Sequence, residues 1–236
     1  MKSFITRSIV AIALVACAFS LAQAQEFERE FPFAANGTIE IKNSYGRIYF
    51  QAVEEIENIV KVSASGTKTI SESDLRIDAS GRKVKLEVLP QTSQTRIDFV
   101  VTVPARSKAF AETDSGEIRF IGDFAEAGAE SDTGTIYADV PLENVKYDFE
   151  WTASRPRFLS EVDLAEIREK SAGRFVLKGR INEAPKPRIN PVISISEDPV
   201  ADGKTSEKSK KKRAKNSLVN LNLSTARGII LLNVSP

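Results

Sequence analysis

Glycine followed two residues later by isoleucine is the pattern that most limits the folds open to this chain. Six of the twelve glycines stand in it, whereas the frequency of isoleucine alone predicts roughly one. Glycine adopts positive φ without steric cost, and a β-branched residue two positions later suits a strand that faces a core. The pattern predicts strands that begin at glycine corners, at Gly37-Ile39, Gly46-Ile48, Gly116-Ile118, Gly134-Ile136, Gly179-Ile181 and Gly228-Ile230.

Two of these corners share an Asp-(Ser/Thr)-Gly triplet, at Asp114-Ser115-Gly116 and Asp132-Thr133-Gly134, 18 residues apart. Aspartic proteases also carry two such triplets, but with apolar residues in front of them. Here Glu112-Thr113 and Glu130-Ser131 precede the triplets. The short spacing fits a coil whose turns stack, with short acidic side chains capping turn amides. We therefore predict that Asp114 and Asp132 are turn residues, together with Gly46, Gly116, Gly134 and Gly228.

Apolar and polar residues alternate along most of the remaining chain before residue 153, as in 59–64, 84–89 and 95–104. Alternation of this kind is typical of half-buried strands. In the C-terminal half, Ser160-Glu161-Val162-Asp163 resembles a helix capping box, and Gly173 follows at a suitable stop. The predicted fold is therefore all-β, a β-solenoid or stacked-sheet coil with one short helix inserted between 160 and 171.

Composition excludes several kinds of chemistry. The chain has no histidine and a single cysteine, Cys17, so it lacks the residues for Ser-His-Asp or Cys-His catalysis and for histidine-ligated metal. We expect no enzyme activity, no cofactor and no metal.

The N-terminus predicts export, to the periplasm or the cell surface. Lys2 and Arg7 precede a short apolar run, and Ala22-Gln23-Ala24 offers a cleavage site, so 1–24 is predicted to be a signal peptide. An alternative is lipidation, because Leu14-Val15-Ala16-Cys17 resembles a bacterial lipobox. Cleavage after Ala24 changes the formal net charge from +1 to −1, because it removes Lys2 and Arg7. A nucleic-acid partner is therefore not expected.

The order of strands resembles a known family. The segments are GTIEIKNSYGRIYF, IVKVSAS, LRIDASGRKVKLEV, TVPA, TDSGEIRF and SDTGTIYADV. Over roughly 30–150 they are similar to the bacterial putative-adhesin domain of unknown function, which is β-solenoid-like. The resemblance implies an envelope binding role and brings no active-site residues.

A second resemblance concerns the C-terminal half. FEWTASRPRF, KSAGRFVLKGRI and TARGIILLNV are similar to the N-terminal regions of exported von Willebrand factor A-related proteins. That resemblance implies a front module of a longer protein. The predicted organisation is a 25–153 adhesin-type domain, a 154–196 strand and helix extension, a 197–217 basic disordered loop and 218–236 closing strands that pair with the coil or cap it.

Two groups of residues are candidates for binding. Trp151, the only tryptophan, stands near Arg155 and Arg157 and is either a core plug or a ligand platform. The 197–217 loop is either a solvated connection or a contact for anionic lipid or lipopolysaccharide, through Lys208, Lys210, Lys211, Lys212, Arg213 and Lys215.

Three functions remain open. The first is a non-enzymatic envelope domain that binds a protein or a glycan. The second is a structural module that presents a downstream domain, and the third is a carboxylate-based, glycan-active enzyme. The ligand and the oligomeric state do not follow from the sequence.

Overall fold

The computed structural model describes residues 27–90, 95–181 and 218–234. Within them lie fifteen strands, one 3-10 turn at Glu72–Asp74 and no α-helix. The all-β prediction is confirmed. The strands of the first half are β1 (Phe27–Pro32), β2 (Thr38–Lys42), β3 (Tyr45–Val53), β4 (Ile59–Gly66), β5 (Leu75–Ser80), β6 (Lys83–Val88), β7 (Ile97–Pro104) and β8 (Lys108–Ile121). The others are β9 (Glu126–Asp139), β10 (Val145–Trp151), β11 (Arg157–Ser160), β12 (Arg168–Ser171), β13 (Arg174–Ile181), β14 (Val219–Thr225) and β15 (Ile229–Leu232).

One open sheet bends along a line of corners and so forms two half-sheets. The first half-sheet has the order β5-β6-β2-β8-β9-β14-β10-β13-β12. The second has the order β1-β4-β7-β3-β8-β9-β15-β11. β8 and β9 belong to both, because each is a long strand that runs through the corner. The central strands of both half-sheets pair in parallel, and antiparallel strands are added outside them.

The corner is visible in the burial pattern of single strands. In β8 the buried positions are odd-numbered up to Thr113 and even-numbered from Ile118 onward. A strand buries every second residue, so a change of phase marks a break in the pleat. β9 changes phase in the same way, between Ser131 and Ile136.

Both half-sheets contribute to one hydrophobic cluster. Isoleucines of the Gly-x-Ile pattern form a row across the second half-sheet, where Ile48 pairs with Ile118, Ile118 with Ile136 and Ile136 with Ile230. All four are buried, and full burial of such a side chain contributes about 1.5–3 kcal/mol. Next to this row the rings of Phe50 and Phe120 stack with centroids 5.2 Å apart.

The order of strands in space differs from their order along the chain. A coil that winds continuously places each turn beside the previous one, and β8 and β9 are placed so. β3, however, lies between β7 and β8, and β14 and β15 lie beside β9, between it and β10 and β11. The structure shows an open sheet, and the solenoid stays a prediction. β14 and β15, the strands predicted to close the fold, pair within the sheet and do not cap it.

The predicted helix between 160 and 171 is wrong. β11 ends at Ser160, and 168–171 form β12, paired with β13. The Ser160 hydroxyl does accept the N–H of Val162 at 3.1 Å, as a cap would. The N–H of Ala165, however, donates to the hydroxyl of Tyr147 at 3.2 Å, outside any helical pattern. Tertiary hydrogen bonds therefore override the local capping signal.

Candidate binding surfaces

The glycines of the corners stack backbone on backbone. Gly46 pairs with Gly116, and Gly116 with Gly134, and their φ values are 122°, 153° and 127°. A Cβ atom on Gly116 would lie 1.9 Å from the carbonyl oxygen of Gly46, and one on Gly134 would lie 1.9 Å from that of Gly116. The corner therefore excludes a side chain at each of these positions. Gly228 continues the stack, with its Cβ position 2.6 Å from the Gly134 oxygen.

Asp114 and Asp132 lie within β8 and β9 at this corner, and both are exposed. Their backbone oxygens hold the stack together. The oxygen of Asp114 accepts the Thr133 hydroxyl at 3.2 Å, and that of Asp132 accepts the N–H of Arg227 at 2.8 Å. The two residues thus take part in the corner through their main chain.

A column of buried polar side chains, which the sequence analysis missed, lines the inside of the corner. Thr113 pairs with Ser131, and Ser131 with Thr225; Asn43 is buried just beyond the last pair of β2 with β8. Each side chain bonds a main-chain group: Asn43 donates to the oxygen of Ile97 at 2.8 Å, and Thr225 accepts the N–H of Gly228 at 2.8 Å. These bonds tie the inside of the corner to main-chain groups, while the buried Oδ1 of Asn43 has no hydrogen-bond partner among the described residues.

Trp151 continues this column, since it pairs with Thr225. Its side chain is 0% exposed, and its ring meets that of Phe158 edge to face at 6.2 Å. No face of the ring is open to a ligand, which corrects the platform hypothesis. Arg155 is exposed, and the Arg157 guanidinium donates to the main-chain oxygen of Arg227.

The outer face of the first half-sheet is charged and largely self-neutralised. Lysine and glutamate on neighbouring strands pair across it, as in Lys42–Glu112 at 2.5 Å and Lys83–Glu40 at 2.7 Å. The hydrogen bond from Lys42 to Glu112 raises the pKa of Lys42 above its usual value, against an opposing effect of desolvation. Exposed pairs of this kind contribute little stability, and they leave little net charge to attract a partner.

A shallow groove of about 580 Å³ crosses this charged face. At its centre the ring of Phe110 lies over Gly128, where a Cβ atom would be 2.5 Å from the ring. Glu40, Glu130 and Asn222 are among the residues that line it. Among the described residues that line the groove, Phe110 is the one aromatic side chain.

The outer face of the second half-sheet carries an apolar and aromatic row, which we call the tyrosine row. Register pairing joins its members across consecutive strands β7, β3, β8, β9, β15 and β11. Val100 and Leu159, at its two ends, are 45% and 60% exposed. The row consists of Val100, Tyr49, Arg119, Tyr137, Leu231 and Leu159.

The centre of the tyrosine row is fixed in place. The guanidinium of Arg119 lies 4.9 Å from the ring centroid of Tyr137 and pairs with Glu117 at 2.6 Å. The Tyr137 hydroxyl donates to the oxygen of Val234 at 2.8 Å. Burial raises the pKa of Tyr137, as does the negative charge of Asp139, while Arg119 opposes the rise. The phenol therefore stays neutral and can keep donating its hydrogen bond.

Part of this row could have been found in the sequence. Tyr49, Arg119, Tyr137 and Leu231 each follow directly the isoleucine of a Gly-x-Ile corner. Because successive side chains of a strand alternate between faces, a residue next to a buried isoleucine must face outward. Val100 and Leu159 follow no such corner, so nothing in the sequence marked them.

Several predicted features lie outside the described residues. These are the 1–24 signal peptide with Cys17 and the basic residues Lys208 to Lys215. Within the described ranges, no helix is long and apolar enough to cross a membrane. No cluster of three or more potential metal ligands occurs in the same part of the chain.

Comparison with solved structures finds bacterial putative adhesion proteins among the similar chains. A putative cell adhesion protein from Clostridium sporogenes is 10% identical, with a TM-score of 0.42 over 88% of this chain and 98% of that one. A putative adhesin from Parabacteroides distasonis is 8% identical, with a TM-score of 0.24 over 50% of this chain and 60% of that one. A putative adhesin from Bacteroides fragilis is 7% identical, with a TM-score of 0.24 over 88% of this chain and 97% of that one.

No family model matches the sequence, and neither does any curated protein. The von Willebrand factor A relation stays a prediction. The TM-scores of the three structural similarities are all below 0.5, so these similarities carry no argument about function.

Proposed function

We propose that this chain is a non-enzymatic, exported binding module that holds a protein partner on the tyrosine row. The observation that carries the proposal is the row itself, which runs across six neighbouring strands on the outside of the sheet. An adhesion role at the cell envelope is the form of this function that the family resemblance favours.

The chemistry of the row favours a protein over a glycan. Tyrosine and arginine are the residues enriched at the energetic centres of protein interfaces. The row offers Tyr49 and Arg119 to a partner, whereas Tyr137 is only 7% exposed and contacts Arg119. Sugars stack on aromatic rings, whereas the ends of this row are the aliphatic Val100 and Leu159. Arg119 is already held by Glu117 and Tyr137, so binding would cost little side-chain entropy there.

Capture from an envelope extract, with two matched variants, tests the proposal. Tyr49→Ser together with Val100→Ser alters the tyrosine row, and Phe110→Ser removes the aromatic side chain of the opposite outer face. We expect a captured protein to be lost with the first variant and kept with the second. Loss with Phe110→Ser alone would place binding in the charged groove, and capture unaffected by either variant would contradict the proposal.

A further inference from the structure

The four edge strands of the sheet differ in how they are protected. An exposed edge invites pairing with another strand, and proteins commonly guard edges with charged side chains. Three of the described edge strands follow this rule. β1 carries Glu28, Arg29 and Glu30, β5 carries Arg76 and Asp78, and β12 carries Arg168, Glu169 and Lys170. Among the described strands, β11 pairs with β15 alone. Its one charged residue, Arg157, donates to the main-chain oxygen of Arg227, and it presents Leu159, which is 60% exposed.

The core beside β11 is also incompletely covered. Phe158 faces inward from β11 and contacts the rings of Phe149 and Trp151 at 5.8 and 6.2 Å, yet it is only partly buried. Val162 and Leu164, just after β11, are likewise partly buried against the core. An apolar strand next to β11 would complete the burial of these side chains.

The chain itself contains a segment with the required pattern. Between Ile181 and Leu218 the sequence includes Pro191-Val192-Ile193-Ser194-Ile195-Ser196. β-branched and small polar residues alternate there, as in a half-buried strand. Pro191 stands before the run and Pro199 after it, at the positions where proline bounds a strand.

The connection from β13 is long enough to reach β11. The N–H of Ala165 donates to the Tyr147 hydroxyl, and a Cβ atom on Gly179 would lie 2.2 Å from that hydroxyl. Ala165 follows the end of β11 by five residues, a span of at most about 17 Å. The ten residues from 182 to 191 can cover roughly 33 Å.

We propose that the free edge of β11 is a strand-acceptor site and that its occupant is segment 191–196 of the same chain. Ile193 and Ile195 then face the core beside Phe158, and Ser194 and Ser196 face outward beside Leu159. The added strand becomes the ninth strand of the second half-sheet, next to β11. It leaves Tyr49 accessible to a partner, so this inference is independent of the proposed function.

Disulfide trapping tests the position of the segment. In a Cys17→Ala background, which has no cysteine, Leu159→Cys is combined with Ser194→Cys or, as the control, with Ser206→Cys. We expect a cross-link within one chain to form at least tenfold faster with Ser194→Cys. Equal rates would overturn the proposal. A cross-linked dimer would overturn it as well, because the occupant would then be another copy.

Thermal unfolding of the full chain tests the orientation of the segment. Ile193→Asp with Ile195→Asp is compared with Ser194→Asp with Ser196→Asp, which adds the same charge to the opposite face. We expect the isoleucine variant alone to lower the melting temperature, by several degrees. Equal melting temperatures for the two variants would contradict the proposal.

Discussion

At the scale of single residues, the corner glycines are required for space as much as for conformation. Gly46, Gly116 and Gly134 have positive φ, as the Gly-x-Ile pattern predicts. Gly228 does not, and its Cβ position is instead occupied by the Gly134 oxygen and the Thr225 hydroxyl. The sequence marks such positions, but it cannot show which neighbour comes close, because the neighbour belongs to a distant strand.

Substitution of a corner glycine should therefore lower the free energy of unfolding far more than substitution of a turn glycine. Gly116→Ala forces a side chain into an unfavourable φ and against the Gly46 oxygen, so we expect a loss of about 3 kcal/mol. Gly81 lies in the β5–β6 hairpin, with no atom within 4 Å of its Cβ position, and Gly81→Ala should change stability by less than about 0.5 kcal/mol. Chemical denaturation of both variants measures the difference, and equal losses would contradict the stacked corner.

At the scale of elements, strands were predictable where alternation is strong, and the helix was not. The run from 95 to 104 gave β7 (Ile97–Pro104), because an alternating pattern already fixes which face is buried. The capping signal at Ser160 failed because β12 found a partner in β13, and no local pattern reveals that partner. The tyrosine row could be predicted only in part. The sequence shows that several of its members face outward, but it does not show that they lie side by side on neighbouring strands.

The antiparallel pair β10–β13 should be sensitive to acid. Glu150 on β10 bonds Arg174 on β13, and this bond lowers the pKa of the carboxyl below 4.5, with desolvation opposing it. A lowered folded-state pKa means that the stabilisation is present above pH 4.5 and is lost as the pH falls through the folded value. The melting-temperature difference between the parent and Glu150→Gln should accordingly be visible at pH 7 and shrink below pH 4.5.

A control for the acid effect is available on the same face. Arg174 is the other member of the pair, so Arg174→Gln should lower the melting temperature at pH 7 and lose that effect over the same pH range. A Glu150→Gln difference that persisted undiminished at pH 2–3 would argue against the pair as its source.

At the scale of the whole molecule, the basic stretch between Lys204 and Lys215 is expected to be dispensable for folding. It holds seven cations and one acid, Glu207, with no apolar residue beyond Ala214. Its deletion should leave the melting temperature nearly unchanged. If it contacts anionic surfaces, the deletion should weaken binding to phosphatidylglycerol vesicles, where each cation contributes about 1 kcal/mol.

Salt provides the control for this deletion. Binding of the intact chain should weaken as ionic strength rises, because exposed charges are screened over about 8–10 Å at 0.10–0.15 M. Vesicle binding that is indifferent to both salt and the deletion would show that the stretch is a solvated connection.

The position of β14 and β15 has a consequence for how the chain acquires its structure during synthesis. These two strands lie near the C-terminus, yet they provide the hydrogen-bonding partner of β9 on one side and of β10 and β11 on the other. A polypeptide emerging from the ribosome therefore cannot join the two parts of its sheet until about residue 232 is available. Pairings so distant in sequence form slowly, so β9, β10 and β11 keep unpaired edges, which are prone to aggregation, until β14 and β15 reach them.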